Sequence, residues 1–171
     1  MHRPSRRRIA AMRPSLRLVP IAFLLALSGG HTADAATAKN GLDAAARARL
    51  VGDHMLTLQW IGWGDLDGAG RVAVTDRGDT LALEGEQRGH GDSDGDYLRV
   101  SGRIVAATQD GFTFEGTILT RVSHIAGGRE CKRDGTYHFR TKAGRKYWRM
   151  QEIDNPCDTA ADYVDIYFRG I

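Results

Sequence analysis

Leu98-Arg99-Val100-Ser101-Gly102-Arg103-Ile104-Val105-Ala106-Ala107-Thr108, then Gln109-Asp110-Gly111, then Phe112-Thr113-Phe114-Glu115-Gly116-Thr117-Ile118-Leu119-Thr120-Arg121-Val122 is the stretch that decides the fold. Leu98, Val100, Ile104 and Ala106 alternate with Arg99, Ser101 and Arg103. Phe112, Phe114, Ile118 and Val122 alternate with Thr113, Glu115, Thr117 and Arg121. A period of two with one polar face is the mark of antiparallel strands wetted on one side. Gln109-Asp110-Gly111 fits a three-residue hairpin loop with Gly111 left-handed. That register sets Thr108 opposite Phe112, Ala106 opposite Phe114, Ile104 opposite Gly116 and Gly102 opposite Ile118. Apolar residues then share one face, and each glycine meets a bulky partner. A two-residue Asp110-Gly111 turn would set Ile118 against Arg103 and mix the faces. Glycines on the inner face mark a sharp bend, and a bent antiparallel meander closes on itself, which removes its edges.

The same alternation continues on both sides. Leu56, Leu58 and Trp60 alternate with Thr57 and Gln59; Val72 and Val74 follow, then Leu81 and Leu83. Before them, Asn40 is placed to cap a short helix from Leu42 to Val51, with Gly52 at its exit. Arg88 to Asp96 is the most polar stretch and reads as a loop. Twenty-one glycines and four prolines fit many tight turns. The fold class predicted is all-β, an antiparallel meander closing into a small barrel.

The N-terminal residues set the compartment. The chain of 171 residues carries a formal charge of +3, but removing the six arginines and one aspartate of residues 1–35 leaves −2 on the body. Basicity therefore belongs to the leader and predicts no nucleic-acid partner. Arg3, Arg6, Arg7, Arg8, Arg13 and Arg17 precede the apolar run Leu18–Leu27, and Ala33-Asp34-Ala35 follows. This is a secretory signal peptide over 1–35, with Ala36-Thr37-Ala38 as the alternative cleavage site and Met12 as an alternative start. The apolar run is too short to span a bilayer, and no later segment of the mature protein is apolar enough. Ser5-Arg6-Arg7-Arg8-Ile9 lies too far from the apolar run for a twin-arginine signal, and no cysteine follows it for lipid anchoring. Residues 36–171 are one domain's length, and 42% hydrophobic content excludes a disordered chain. A periplasmic or secreted location follows.

Export gives the two cysteines their meaning. Tyr137–Thr141 and Lys146–Met150 flank Ala143-Gly144, which pairs Phe139 with Trp148 and Tyr137 with Met150. Cys131 then lies opposite Pro156, one residue short of Cys157, and a bulge at Gly135 closes the gap. Two cysteines at the foot of one hairpin in an oxidising compartment predict a Cys131–Cys157 disulfide; free thiols or a metal site are the alternatives.

Two stretches carry a resemblance. Leu50-Val51-Gly52-Asp53-His54-Met55-Leu56 resembles the entry to the first strand of lipocalin-like (calycin-like) barrels, where L-x-G-x-W follows a short helix; His54 stands where that tryptophan would be. Tyr147-Trp148-Arg149-Met150-Gln151-Glu152, Asn155-Pro156-Cys157 and Asp162-Tyr163-Val164-Asp165-Ile166-Tyr167-Phe168 resemble the tail of a family of small exported bacterial proteins. The likeness runs from about Leu50 to Phe168. It implies export, the disulfide and a lipocalin-like barrel of about eight strands, and it brings no catalytic residue with it.

Candidate chemistry is sparse. Asp65 to Asp76 resembles the calcium loop of dockerin modules, with Asp65, Asp67 and Asp76 as oxygen ligands and Gly70 at the sharp turn. Ala69 and Ala73 occupy two ligand positions and β-alternation follows, so a hairpin turn is the reading. Asp92, Asp94 and Asp96 form a second acidic cluster, read as a solvated loop. No metal and no cofactor is expected. His54, His90, His124 and His138 show no zinc spacing and read as surface or half-buried residues. No nucleophile elbow, P-loop or dinucleotide motif is present, so no catalytic residue is named. Arg129, Lys132, Arg133, Arg145, Lys146 and Arg149 are interleaved with Glu130, Asp134, Glu152 and Asp154. They read as a mutually neutralising surface, or as an anion- or polymer-binding face beside Tyr147 and Tyr163. Trp60, Trp63 and Trp148 read as core or rim.

Three functions compete. The first is an apolar or amphipathic small-molecule ligand inside the barrel, where Gly102, Ala106 and Gly116 leave room. The second is an envelope protein-interaction module, an inhibitor or accessory subunit with a filled barrel. The third is an enzyme with groups drawn from separate strands.

Overall fold

Period-two patterning becomes eight strands joined each to the next: β1 Gly52–Leu58, β2 Gly70–Asp76, β3 Leu81–Arg88, β4 Tyr97–Thr108, β5 Gly111–Arg121, β6 Cys131–Arg140, β7 Tyr147–Met150 and β8 Val164–Tyr167. All pairings are antiparallel, and β8 returns to β1 through Leu56–Ile166, Thr57–Asp165 and Leu58–Val164, closing the barrel. The computed structural model describes residues 41–62 and 68–169. The leader, Asn40, Trp63, Asp65 and Asp67 lie outside them.

The helix is shorter than its sequence suggests. α1 spans Ala44–Leu50, and its cap is Asp43, whose Oδ1 accepts from the Ala46 amide at 2.9 Å. Its apolar stripe, Ala46 and Leu50, is buried in the core. Three contacts fix α1 across one end of the barrel. Arg47 pairs with Asp76 at 2.6 Å. Arg49 donates to the Gln109 carbonyl at 3.1 Å, and Arg169 donates to the Ala48 carbonyl at 2.8 Å.

Both predicted hairpin registers need correction. In the first, the turn is Gln109-Asp110, with Thr108 opposite Gly111. Gly111 is not left-handed; a Cβ there would lie 3.1 Å from Arg140 Cα and run into the Phe139 carbonyl, so its smallness serves the approach of β6. An irregularity between Ile104 and Ala106 then shifts the register, leaving Ile104 opposite Phe114, Gly102 opposite Gly116 and Val100 opposite Ile118. Ala107 rather than Ala106 faces inward. The glycines do not face bulky partners; they face each other, and the Phe114 ring covers both.

In the second hairpin, Phe139 pairs with Met150 and Arg140 with Arg149, two residues from the predicted register. A two-residue slip preserves the face, so Tyr137, Phe139, Trp148 and Met150 all remain buried. Gly135 carries no bulge; it pairs regularly with Gly116. Cys157 reaches Cys131 differently. After Met150 the chain leaves the sheet, and the segment 151–163 turns back across β6. The Cys131–Cys157 disulfide closes with 6.0 Å between Cα atoms.

Large side chains meet inside. Phe112 and Phe139 stack at 4.8 Å, Trp148 meets Phe112 edge-on at 5.7 Å, and Phe114 meets Phe139 edge-on at 6.4 Å. All four are at most 2% exposed. His54 is also buried, contrary to its expected half-exposed place. Its Nδ1 lies 2.8 Å from the Tyr167 carbonyl oxygen and its Nε2 2.7 Å from that of Leu50, so it ties the end of α1 to the end of β8.

Candidate functional site

β7 and the turn before it build a cationic concavity on the barrel's outer wall. Arg140 ends β6, Lys142 and Arg145 flank the Ala143-Gly144 turn, and Arg149 projects outward from β7 because strand alternation sends Trp148 and Met150 inward. Gln151, Ile153 and Tyr163 come from the excursion and complete the wall, with Met150 at the floor; the concavity holds about 270 Å³.

The charges here are unbalanced. Arg140 and Arg149 are directly opposite across the ladder, an arrangement that disfavours like charges. Arg149 is compensated: its Nε and Nη2 each donate to Asp165 at 2.7 Å, which raises the Arg149 pKa further. Arg140, Lys142 and Arg145 form no ion pair among the described residues. Arg145 lies over the Tyr147 ring at 5.4 Å, and Arg149 over Tyr163 at 4.4 Å. Tyr163, at 36%, is the one exposed large hydrophobic among the described residues.

Three of the four acids expected to neutralise this half of the chain are engaged elsewhere, and the fourth, Asp154, is exposed and pairs with no cation among the described residues. Asp134 pairs with Lys132 at 2.8 Å and accepts from Thr117, which holds its carboxyl below the ordinary aspartate value. Glu130 bonds the Tyr97 hydroxyl. Glu152 accepts from the His138 amide and faces its Nδ1, each at 2.8 Å. Burial raises that carboxyl, but the His138 bonds outweigh it and hold it below the ordinary glutamate value. Mutual neutralisation does hold farther round the barrel, where Arg99 pairs with Glu86 at 2.6 Å and Arg103 with Glu115 at 2.8 Å. Arg129 bonds the Ala126 carbonyl, and Arg133 is buried. Of the cations named in the sequence analysis, only Arg145 and Arg149 line the concavity; Arg140 and Lys142, which also line it, lie between Arg133 and Arg145, apart from the two mixed-charge clusters on either side.

A second polar cluster lies beneath the excursion. Asp162, 1% exposed, accepts from Asn155 Nδ2 at 3.0 Å and faces Arg133 Nη1 at 3.5 Å. Arg133 also donates to the Glu152 carbonyl at 2.6 Å, and Asn155 Oδ1 accepts from the Cys157 amide at 2.8 Å. Burial raises the Asp162 carboxyl above the ordinary aspartate value, which Asn155 and Arg133 oppose without cancelling. Such a carboxyl has the chemistry of a general acid, but it is enclosed. Its partners make it an anchor that fixes the excursion beside the disulfide.

The remaining candidates are dispersed. Asp96 is buried and accepts from the Ser123 amide at 2.8 Å, while Asp92 and Asp94 point to solvent. Among the described residues no three acidic, histidine or cysteine side chains are placed to share a metal ion. His90 and His124 are exposed, His124 against the Trp60 edge at 5.9 Å. Trp60 Nε1 donates to the Ala161 carbonyl at 3.1 Å at the far end of the excursion. Among the described residues no helix is long and apolar enough to cross a membrane.

Residues 38–168, which contain the whole barrel, the disulfide and the concavity, match the PM1083 family. The chain is similar to the uncharacterised protein PM1083 of Pasteurella multocida (strain Pm70), 41% identical over 120 residues that cover 70% of this chain and 74% of that protein. No solved structure matches it. A match over that span, with that identity, places this closed eight-stranded barrel in the PM1083 family.

Proposed function

We propose that the protein is an exported binding module of the bacterial envelope that works through its outer wall, holding an acidic partner in the concavity of Arg140, Lys142, Arg145 and Arg149. The observation carrying this reading is the set of three uncompensated cations on a body whose net charge is −2 without the leader. The interior-ligand reading rested on space beside Gly102, Ala106 and Gly116. The Phe114 ring lies over both glycines, and Ala106 packs near Gly41 outside the sheet, so the filled-barrel reading is the better supported. The disulfide suits an oxidising compartment. Cleavage after Ala35 leaves Ala36 as the mature N-terminus, which terminal sequencing of protein from the periplasm checks; an intact leader on that protein would refute export.

Labelled polyphosphate and labelled octagalacturonate test the binding by fluorescence anisotropy. Arg140→Gln/Lys142→Gln/Arg145→Gln is expected to weaken whichever binds by at least about tenfold at 0.15 M salt, three charge-assisted contacts being lost. Arg88→Gln/Arg103→Gln/Lys132→Gln removes the same charge elsewhere and is expected to change affinity less than about threefold. Equal losses in the two variants, or no binding of either probe, would overturn the reading.

A further inference from the structure

We infer that the concavity is built for a phosphorylated sugar, its phosphate seated among Arg140, Lys142 and Arg145 and its ring laid against Tyr163. This rests on the outer-wall reading above and names the chemistry of the occupant.

Charge argues for phosphate over carboxylate. Three cations surround one concavity without a protein counter-charge, and Arg149 already has Asp165. A single carboxylate offers one charge and two oxygens. A phosphate monoester carries about −1.5 to −2 at neutral pH with three strong acceptor oxygens, one for each free cation. Two guanidinium forks and one ammonium suit that multidentate anion.

The aromatic ring in the same lining argues for a sugar. Tyr163 presents an exposed ring, steadied by Arg149 at 4.4 Å, and such a surface packs against the C–H face of a pyranose. In the same lining, Gln151 Nε2 donates to the Arg149 carbonyl at 2.6 Å. That bond fixes the amide orientation and leaves Oε1 as an acceptor for a hydroxyl. A volume of about 270 Å³ accommodates one hexose phosphate, or one unit of a longer anionic chain whose remainder lies outside. Free sugar phosphate and the headgroup of a phosphorylated glycolipid present the same group.

Isothermal titration of the mature, oxidised protein decides the matter with four probes: glucose 6-phosphate, inorganic phosphate, glucuronate and glucose. Glucose 6-phosphate is expected to bind at least about tenfold more tightly than glucuronate or inorganic phosphate, with glucose not detected. Arg140→Gln and Arg145→Gln are each expected to weaken both phosphate probes about tenfold. Tyr163→Ala is expected to weaken glucose 6-phosphate about fivefold and to leave inorganic phosphate unchanged, the signature of a ring contact. Micelles carrying a phosphorylated glycolipid distinguish the source: tighter binding than the free sugar phosphate assigns the headgroup, and equal or weaker binding assigns the soluble ligand. Glucuronate binding as tightly as glucose 6-phosphate, or Tyr163→Ala weakening both phosphate probes alike, would overturn the inference and leave acidic-partner binding standing. If polyphosphate and octagalacturonate also fail to bind, both readings fall.

Discussion

Cys131→Ser and Cys157→Ser are each expected to lose about 2–5 kcal/mol of stability, and the double variant about the same. The bond joins residues 26 apart in sequence, and closing such a loop in the unfolded chain is worth about 3–4 kcal/mol by chain-entropy reasoning. Its folded-state partners add to this. Cys131 is buried at the start of β6, and Asn155 Oδ1 holds the Cys157 amide while Asn155 Nδ2 holds Asp162. Without the bond, the excursion 151–163 keeps only non-covalent ties: the enclosed Arg133–Asp162 contact, the Glu152–His138 bonds and the Trp60 bond to the Ala161 carbonyl. The same variants should weaken anion binding, because Gln151, Ile153 and Tyr163 ride on that excursion. Urea unfolding of the three variants reads the stability loss, thiol titration of the denatured wild type reads the bond, and anisotropy with labelled polyphosphate reads the binding. Additive losses, or two free thiols in protein recovered from the periplasm, would contradict the account.

Gly116→Val is expected to cost about 3 kcal/mol or more, at the upper end for overpacking, because the obstruction is backbone. A Cβ at Gly116 would lie 2.6 Å from Phe114 Cζ and 2.8 Å from Gly102 Cα, and would run into the Ser101 carbonyl. Gly102→Val meets the mirror situation, 2.7 Å from Gly116 Cα and 2.8 Å from Phe114 Cε2. Neither β4 nor β5 can retreat without breaking its ladder. Gly135 lies opposite Gly116 on β6, yet its nearest obstacle is the Tyr137 hydroxyl at 3.6 Å. Gly135→Val is therefore expected to stay within about 0.5 kcal/mol. Thermal unfolding of the three variants shows the order; a Gly116→Val variant as stable as Gly135→Val would mean that the Phe114 ring does not sit over the glycine pair.

The closed meander was legible because period-two alternation survives any error of two residues in register. Both hairpins show this. The second slipped by two and kept Phe139, Trp148 and Met150 inside. The first hid an irregularity at Val105, and Gly111 offered a turn signal while serving the approach of β6. Glycine's two uses, left-handed turn and close approach, are indistinguishable from one sequence. The disulfide was read correctly through an incorrect bulge, since near-symmetry about Ala143-Gly144 brought the right ends together. The concavity was less legible. Its basic composition was visible, but which cations lack a partner depends on where Asp134, Glu152 and Asp165 fall in space. Asp165 neutralises Arg149 from a strand 16 residues away, and Glu152 turns to His138. The burial of His54 had no sequence signal beyond its place in the helix-to-strand entry.

The central claim, a filled barrel that binds on its outer wall, is tested most directly by nuclear magnetic resonance shift mapping on the mature, oxidised protein with two ligands. With polyphosphate, saturable shifts are expected at Arg140, Lys142, Arg145, Gln151 and Tyr163, and none at the inward methyls of Leu83, Ile104 and Ile118. With palmitate, no saturable shift is expected at those methyls. Saturable palmitate shifts at Leu83, Ile104 and Ile118, with the Arg140–Tyr163 wall silent to polyphosphate, would contradict it and return the function to the barrel interior.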